Sequence, residues 1–243
     1  MDIIKNKRIF KNYIKRHYDL KDYNIKRKYT HSLQVAKIML KLSKELFPNN
    51  LHNQKLCYTI GLLHDFARFK QWVLYKTYRD KNSVDHGDFC VQLLFDDNLI
   101  SMFDIQKEDY SIIYKAIKYH NKYILPPEVE NDLICTLLVE ADRISNIILQ
   151  SKGKTPLFSD KDGFTDEIVQ SFINKEKMDY RYLNTKGDNL LAYMNSTNLL
   201  KLRQAKDFVD RKNYKSKILK AYRHQLIEQD YLFILGLLQK SSN

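Results

Sequence analysis

At 243 residues, 44% of them hydrophobic, the chain has enough material for one large domain or one domain with an appendage. Its 41 lysines and arginines against 29 acids leave a net charge of +12, which favours anionic partners: nucleotides, phosphorylated metabolites or nucleic acid. No apolar run is long enough to span a membrane, the N-terminal stretch MDIIKNKRIFKNYIKRHY lacks the apolar centre of a signal peptide, and Cys57, Cys90 and Cys135 form no CxxC pair, so a cytoplasmic protein without a disulfide framework or cysteine zinc site is expected.

Six glycines and four prolines allow few turns, and the hydrophobic periodicity is helical nearly throughout. The first helix is predicted over 29–46, with Thr30 as its N-cap and His31, Val35, Ile38, Met39, Leu42 and Leu46 on one face. A second covers 53–65, its stripe running Leu56, Ile60, Leu63, His64. The polar, aromatic connector RFKQWVLYKTYRDKNSVD follows, then helices over 86–95, 110–120 and 131–149. At Gln150 the composition shifts, and SKGKTPLFSDKDG reads as a loop. Beyond it, helices are expected over 164–175, 189–194, 199–209 and 214–239, the last long enough to close a bundle. The predicted organisation is a helical domain over 1–150 and a helical extension over 151–243 packed on it. The three cysteines lie in apolar helical stretches and read as core.

The stretch GLLHDFARFK places His64 and Asp65 side by side at the end of an apolar helix, a costly arrangement unless something pairs with them. Four further residues that can bind metals fall on apolar faces: His31, His86, His120 and Asp142. Taken singly, each reads as a hydrogen-bonded core residue. Together, six such groups on five helices would each need a buried partner of its own. Imidazoles and carboxylates around divalent transition metals satisfy all of them at once, as in metal sites built inside helical bundles. Asp85 and Glu140 are candidates to orient ligand imidazoles, although each reads more simply as an exposed carboxylate.

The order His31, His64-Asp65, His86, His120, Asp142 resembles the HD superfamily of metal-dependent phosphohydrolases over about residues 25–150. The two intervening histidines make it similar to the binuclear branch, which includes HD-type dinucleoside tetraphosphate hydrolases, and HDFAR is similar to that branch's His-Asp-x-x-basic turn. The GYP signature of the cyclic-dinucleotide branch is absent. The connector YKTYRDKNSVDHG is similar to that of a little-characterised bacterial subgroup. The resemblance implies an all-α HD-domain bundle that binds one or two divalent ions of iron, manganese, cobalt, nickel or zinc. His31, His64 and Asp142 would hold one metal, His86 and His120 the second, and Asp65 would bridge both. Water between the ions would become the nucleophile.

Arg68, nearly one turn beyond Asp65, could neutralise the substrate phosphate or be a solvated helix-end residue; Arg79, Lys118, Lys122 and Arg143 are weaker candidates. The expected activity is hydrolysis of a phosphoester or phosphoanhydride in a small anion, best a nucleotide. Trp72, Tyr75 and Tyr78 beside the site could stack a nucleobase, although they read first as cover for the core. Two alternatives stay open: an HD-type diiron oxygenase with the same ligand set, and a non-catalytic helical module that binds nucleotide or nucleic acid. Nucleic acid is not favoured, because no Gly-rich phosphate loop, zinc finger or helix-turn-helix pattern occurs.

Overall fold

Asp22 decides where the first long helix of the site begins. Its carboxylate accepts hydrogen bonds from the backbone of Asn24 and Ile25, an N-cap that starts the helix at Tyr23. The computed structural model describes residues 1–122 and 125–240, and these are helices, turns and loops with no strand among them. The chain is therefore all-α, as its periodicity implies. By proximity along the fold it divides at residues 142/143 into two compact units.

In the first unit, α1 (Ile3–His17) is capped by Asp2, and α2 (Tyr23–Leu46) follows. Helix α2 thus begins six residues before the predicted start, and Thr30 is not its cap: the Thr30 hydroxyl donates back to Lys26 O inside the helix. Helix α3 (Leu51–Leu63) starts at the Asn50 cap and is buried on every side from Leu56 onward, which makes it the central element of this unit. It lies close against α2 because Gly61 has no side chain; a Cβ there would sit 3.0 Å from Ala36 Cα and 2.9 Å from Met39 Cγ.

After α3 the chain turns at His64 and Asp65. Phe66 and Phe69 bury completely against Phe10 of α1, with ring centroids 6.2 and 6.0 Å away, and this aromatic cluster pins the turn. The expected connector contains a helix, α4 (Arg68–Tyr75), which ends where Lys76 takes a left-handed conformation, φ 53°. It is short, and only Arg68, Phe69 and Gln71 face inward, so its apolar period is too brief to stand out. Next come α5 (His86–Val91), which runs into a π-helical turn at Gln92–Asp96, then α6 (Tyr110–Tyr119), the single turn α7 (Pro127–Glu130) and α8 (Leu133–Gln150). Cys57, Cys90 and Cys135 are all buried.

The second unit contains α9 (Asp166–Ile173), α10 (Lys186–Asn195), α11 (Arg203–Asp210), α12 (Tyr214–Tyr222) and α13 (Glu228–Lys240). A capping box between Thr185 and Asp188 sets the start of α10 earlier than the apolar pattern does. The long helix predicted over 214–239 is broken at Arg223–Gln225, and Leu226 is extended. Basic Arg223 and His224 follow one helix end while Glu228 and Asp230 occupy the first turn of the next, each matched to the local dipole. No helix among the described residues is long and apolar enough to cross a membrane.

Close approach of α5 and α6 depends on Gly87, where a Cβ would lie 2.5 Å from the Lys118 carbonyl oxygen and 2.6 Å from Asn121 Oδ1. The first of these is backbone and cannot swing away. Gly87→Ala is expected to lower stability by about 1–3 kcal/mol through overpacking, read as a fall in the urea unfolding midpoint.

Candidate metal centre

Histidines from α2, the end of α3, the start of α5 and the end of α6 meet around one carboxylate. Just past α3, His64 donates from Nδ1 to Gly61 O at 2.8 Å; just past α6, His120 does the same to Ile117 O at 2.6 Å. His86 opens α5, and its Nδ1 lies 2.5 Å from Asp80 Oδ2. A carbonyl or carboxylate oxygen can only accept, so each Nδ1 carries the proton and each Nε2 presents a lone pair. These Nε2 atoms face inward: His64 Nε2 is 3.3 Å from His31 Nε2, and His86 Nε2 is 3.1 Å from His120 Nε2.

Asp65 stands between the two pairs, 3% exposed, with one oxygen turned to each. Its Oδ2 lies 3.5 Å from both His31 Nε2 and His64 Nε2; its Oδ1 lies 3.8 Å from His86 Nε2 and 3.9 Å from His120 Nε2. His31 Nε2 also meets Asp142 Oδ1 of α8 at 3.0 Å. Two groups of donor atoms, His31–His64–Asp65 and Asp65–His86–His120, are each compact enough to hold a metal ion.

Electrostatics favour a cation here. Burial pushes the His86 imidazole down to about 4, against the pull of its Asp80 hydrogen bond, and burial with the neighbouring His64 pushes His120 down to about 4. Burial lowers His64 as well. Burial opposes ionisation of Asp65, but Lys28, His64, Arg68 and His86 outweigh it and hold the carboxyl well below the usual carboxylate range. Asp142 is lowered in the same way, burial being overcome by the hydrogen bond and charge of His31. Near neutral pH His64, His86 and His120 are thus neutral imidazoles beside ionised Asp65 and Asp142. The facing Nε2 lone pairs of His86 and His120, with no proton between them, repel, and a divalent metal resolves that conflict with the donor types such ions prefer.

Several neighbours were not foreseen. Lys28 reaches Asp65 Oδ2 at 2.7 Å; it precedes His31 by three residues, so helical spacing puts both on one face, and that signal could have found it. Asp80 orients His86, the task considered for Asp85, and nothing in the connector's composition marks it. Burial works against Asp80's ionisation, yet His86 and Arg68 hold it below the usual carboxylate range. Asp85 instead caps α5 and pairs with Lys122 at 2.8 Å. Glu140 is buried, not exposed, because it lies between the core residues Leu137 and Ile144 on α8.

Arg68 is buried, and its Nη1 is committed to Gln71 Oε1 at 2.7 Å, Tyr78 O at 2.8 Å and Asp80 Oδ1 at 2.9 Å, while its Nε lies 3.5 Å from Asp65 Oδ1. Among the weaker candidates, Lys118 turns to the Tyr114 hydroxyl, Arg143 donates to Leu199 O, and Arg79 is exposed. Trp72 is half-buried, donating from Nε1 to Asp22 and packing against Tyr78, with ring centroids 5.3 Å apart.

The HD domain family model matches residues 29–147, a span that takes in His31, His64, Asp65, His86, His120 and Asp142. Over that span the chain is similar to HD domains. HD domains make up a superfamily of metal-dependent phosphohydrolases, and the buried His/Asp groups of this chain could hold a divalent ion. No curated protein and no solved structure matches the chain.

The depressed histidines give the metal-free chain a pH signature. An unfolded histidine titrates near 6.5, whereas His86 and His120 in the folded chain titrate at about 4. Between these values the unfolded chain binds protons that the folded one refuses. Stability is therefore full above about pH 6.5 and falls as the pH drops towards 4, by about 3 kcal/mol for each histidine. Urea unfolding of chelator-treated protein across this range should show the loss, and His120→Gln should make it shallower.

Proposed function

We propose that this HD domain is a binuclear phosphohydrolase that cleaves a phosphoester or phosphoanhydride bond of a small phosphorylated anion, a nucleotide being the best fit. The observation that carries the reading is the posture of Asp65, whose two oxygens face two separate histidine pairs. In this assignment His31, His64 and Asp142 hold one divalent ion, His86 and His120 hold the other, and Asp65 serves both. Such ions, when bound, supply Lewis acidity toward the phosphoryl group and generate a hydroxide nucleophile from water near neutral pH.

The chain's own residues supply orientation and charge. The carbonyls of Gly61 and Ile117, with Asp80, fix the donor tautomer of three imidazoles, which raises their basicity and aims them. Arg68 is assigned a positioning role: it ties Asp65 and Asp80 together and so holds the carboxylate between the pairs. Lys28 adds a positive charge beside Asp65, where a substrate phosphate would build up negative charge. Cations at this position favour a phosphorylated substrate over an uncharged polyol, and so a hydrolase over an oxygenase.

The test is hydrolysis of a panel of nucleotides and bis(p-nitrophenyl) phosphate by protein stripped with chelator and reloaded with manganese, iron, cobalt, nickel or zinc. Activity should vanish on stripping, return with metal, and fall at least about a thousandfold in Asp65→Asn and His64→Ala variants that keep the helical circular dichroism of the parent. Undiminished turnover in His64→Ala would remove the proposal.

A further inference from the structure

Next to Asp65 three cationic heads surround a single aromatic ring. Lys28 Nζ lies 5.3 Å, Arg27 Cζ 5.5 Å and Arg68 Cζ 5.7 Å from the centroid of Tyr78, whose hydroxyl is tied to Asn24 O at 3.1 Å. Gathering like charges costs energy unless anions offset it, and the ring quadrupole compensates only part. Three acids stand nearby, and one of them, Asp22, is occupied with capping α2 and with the Trp72 indole. Asp80 answers Arg68 at 2.9 Å, and Asp65 answers Lys28 at 2.7 Å. Arg27 is exposed, and among the described residues no acid pairs with it.

Asp65 is also the carboxylate that the proposed ions would share. A cation that takes Asp65 Oδ2 leaves the Lys28 ammonium wanting an anion, beside an Arg27 already in that condition. Both are anchored at the edge of the metal centre: they are consecutive on α2, one turn before His31. Tyr78 is held by its hydroxyl and by Trp72, so the ring they rest on is fixed. Arginine and lysine on a rigid support are a phosphate site in want of a phosphate.

We propose that Arg27 and Lys28, gathered on Tyr78 beside Asp65, form an anion subsite for a second phosphate of the substrate, so that this HD domain cleaves a phosphoanhydride in preference to a lone phosphomonoester. This rests on the hydrolase reading above. In the reaction a water oxygen bonds to the phosphorus at the metal centre and the bridging P–O bond of the anhydride breaks. The leaving phosphate takes that bond's electron pair and is held by Arg27 and Lys28, while the water's protons pass to the leaving phosphate and the solvent. No oxidant or second substrate is needed.

The experiment is calorimetric titration of manganese-loaded protein with methylenediphosphonate, an uncleavable anhydride mimic, and separately with orthophosphate. Arg27→Gln should weaken diphosphonate binding about tenfold and orthophosphate binding less than about threefold, and Lys28→Gln should weaken diphosphonate binding at least as much. Arg27→Gln decides the matter, because this exposed side chain has no acid partner among the described residues to lose. Chelation of the ions alone would leave diphosphonate affinity intact in Arg27→Gln and would overturn the subsite. Tighter binding of a short single-stranded oligonucleotide than of diphosphonate would also overturn it, in favour of a nucleic-acid surface. Retained metal-dependent cleavage of bis(p-nitrophenyl) phosphate would then show that the hydrolase reading stands without it.

Discussion

Because the carbonyls of Gly61 and Ile117 hold the Nδ1 protons of His64 and His120, and Asp80 holds that of His86, three imidazoles must present lone pairs to the space around Asp65. The rings are buried, so their protonation is unfavourable at neutral pH. The conflict cannot be relieved by rotating a ring without orphaning a buried N–H. A metal ion would relieve it by accepting those lone pairs. The centre is in this sense poised: its hydrogen bonds face away and its donor atoms face in.

The fold serves that arrangement by bringing helix ends together. His64 and His120 each follow the last residue of a helix and bond back one turn, while His86 begins a helix behind the Asp85 cap. Two glycines set the distances. Gly61 lets α3 lie against α2, which brings His64 to His31; Gly87 lets α5 lie against α6, which brings His86 to His120. The aromatic cluster of Phe10, Phe66 and Phe69 then fixes the turn carrying Asp65, so packing energy is converted into placement of one carboxylate.

Much of this could be read from residue order. His31, His64, His120 and Asp142 share stripes with apolar residues at helical spacing, and a charged or titratable group on such a stripe stands out against its neighbours. The groups that steer them were less visible. Asp80 lies in a mixed polar segment with no period, and only the folded chain brings it to His86. Lys28 carries a signal, its place one turn before His31, but the apolar period starts α2 after it because the first turn offers Ile25 as its only buried residue. The opposite error occurred at 214–239, where a continuous apolar stripe hid a break written in charge, basic residues before the turn and acidic ones after it. Periodicity reports which face is buried; it is nearly silent about where a helix stops and about partners brought in from loops.

The most direct trial of the account is anomalous diffraction from crystals grown with manganese or iron and measured at the absorption edge of that metal. Two peaks are predicted on either side of Asp65, one within bonding distance of His31, His64 and Asp142 and the other of His86 and His120, with Lys28 released from the carboxylate. An anomalous map with no peak at Asp65, and Lys28 still paired to it, would contradict the claim that these side chains were gathered to hold metal.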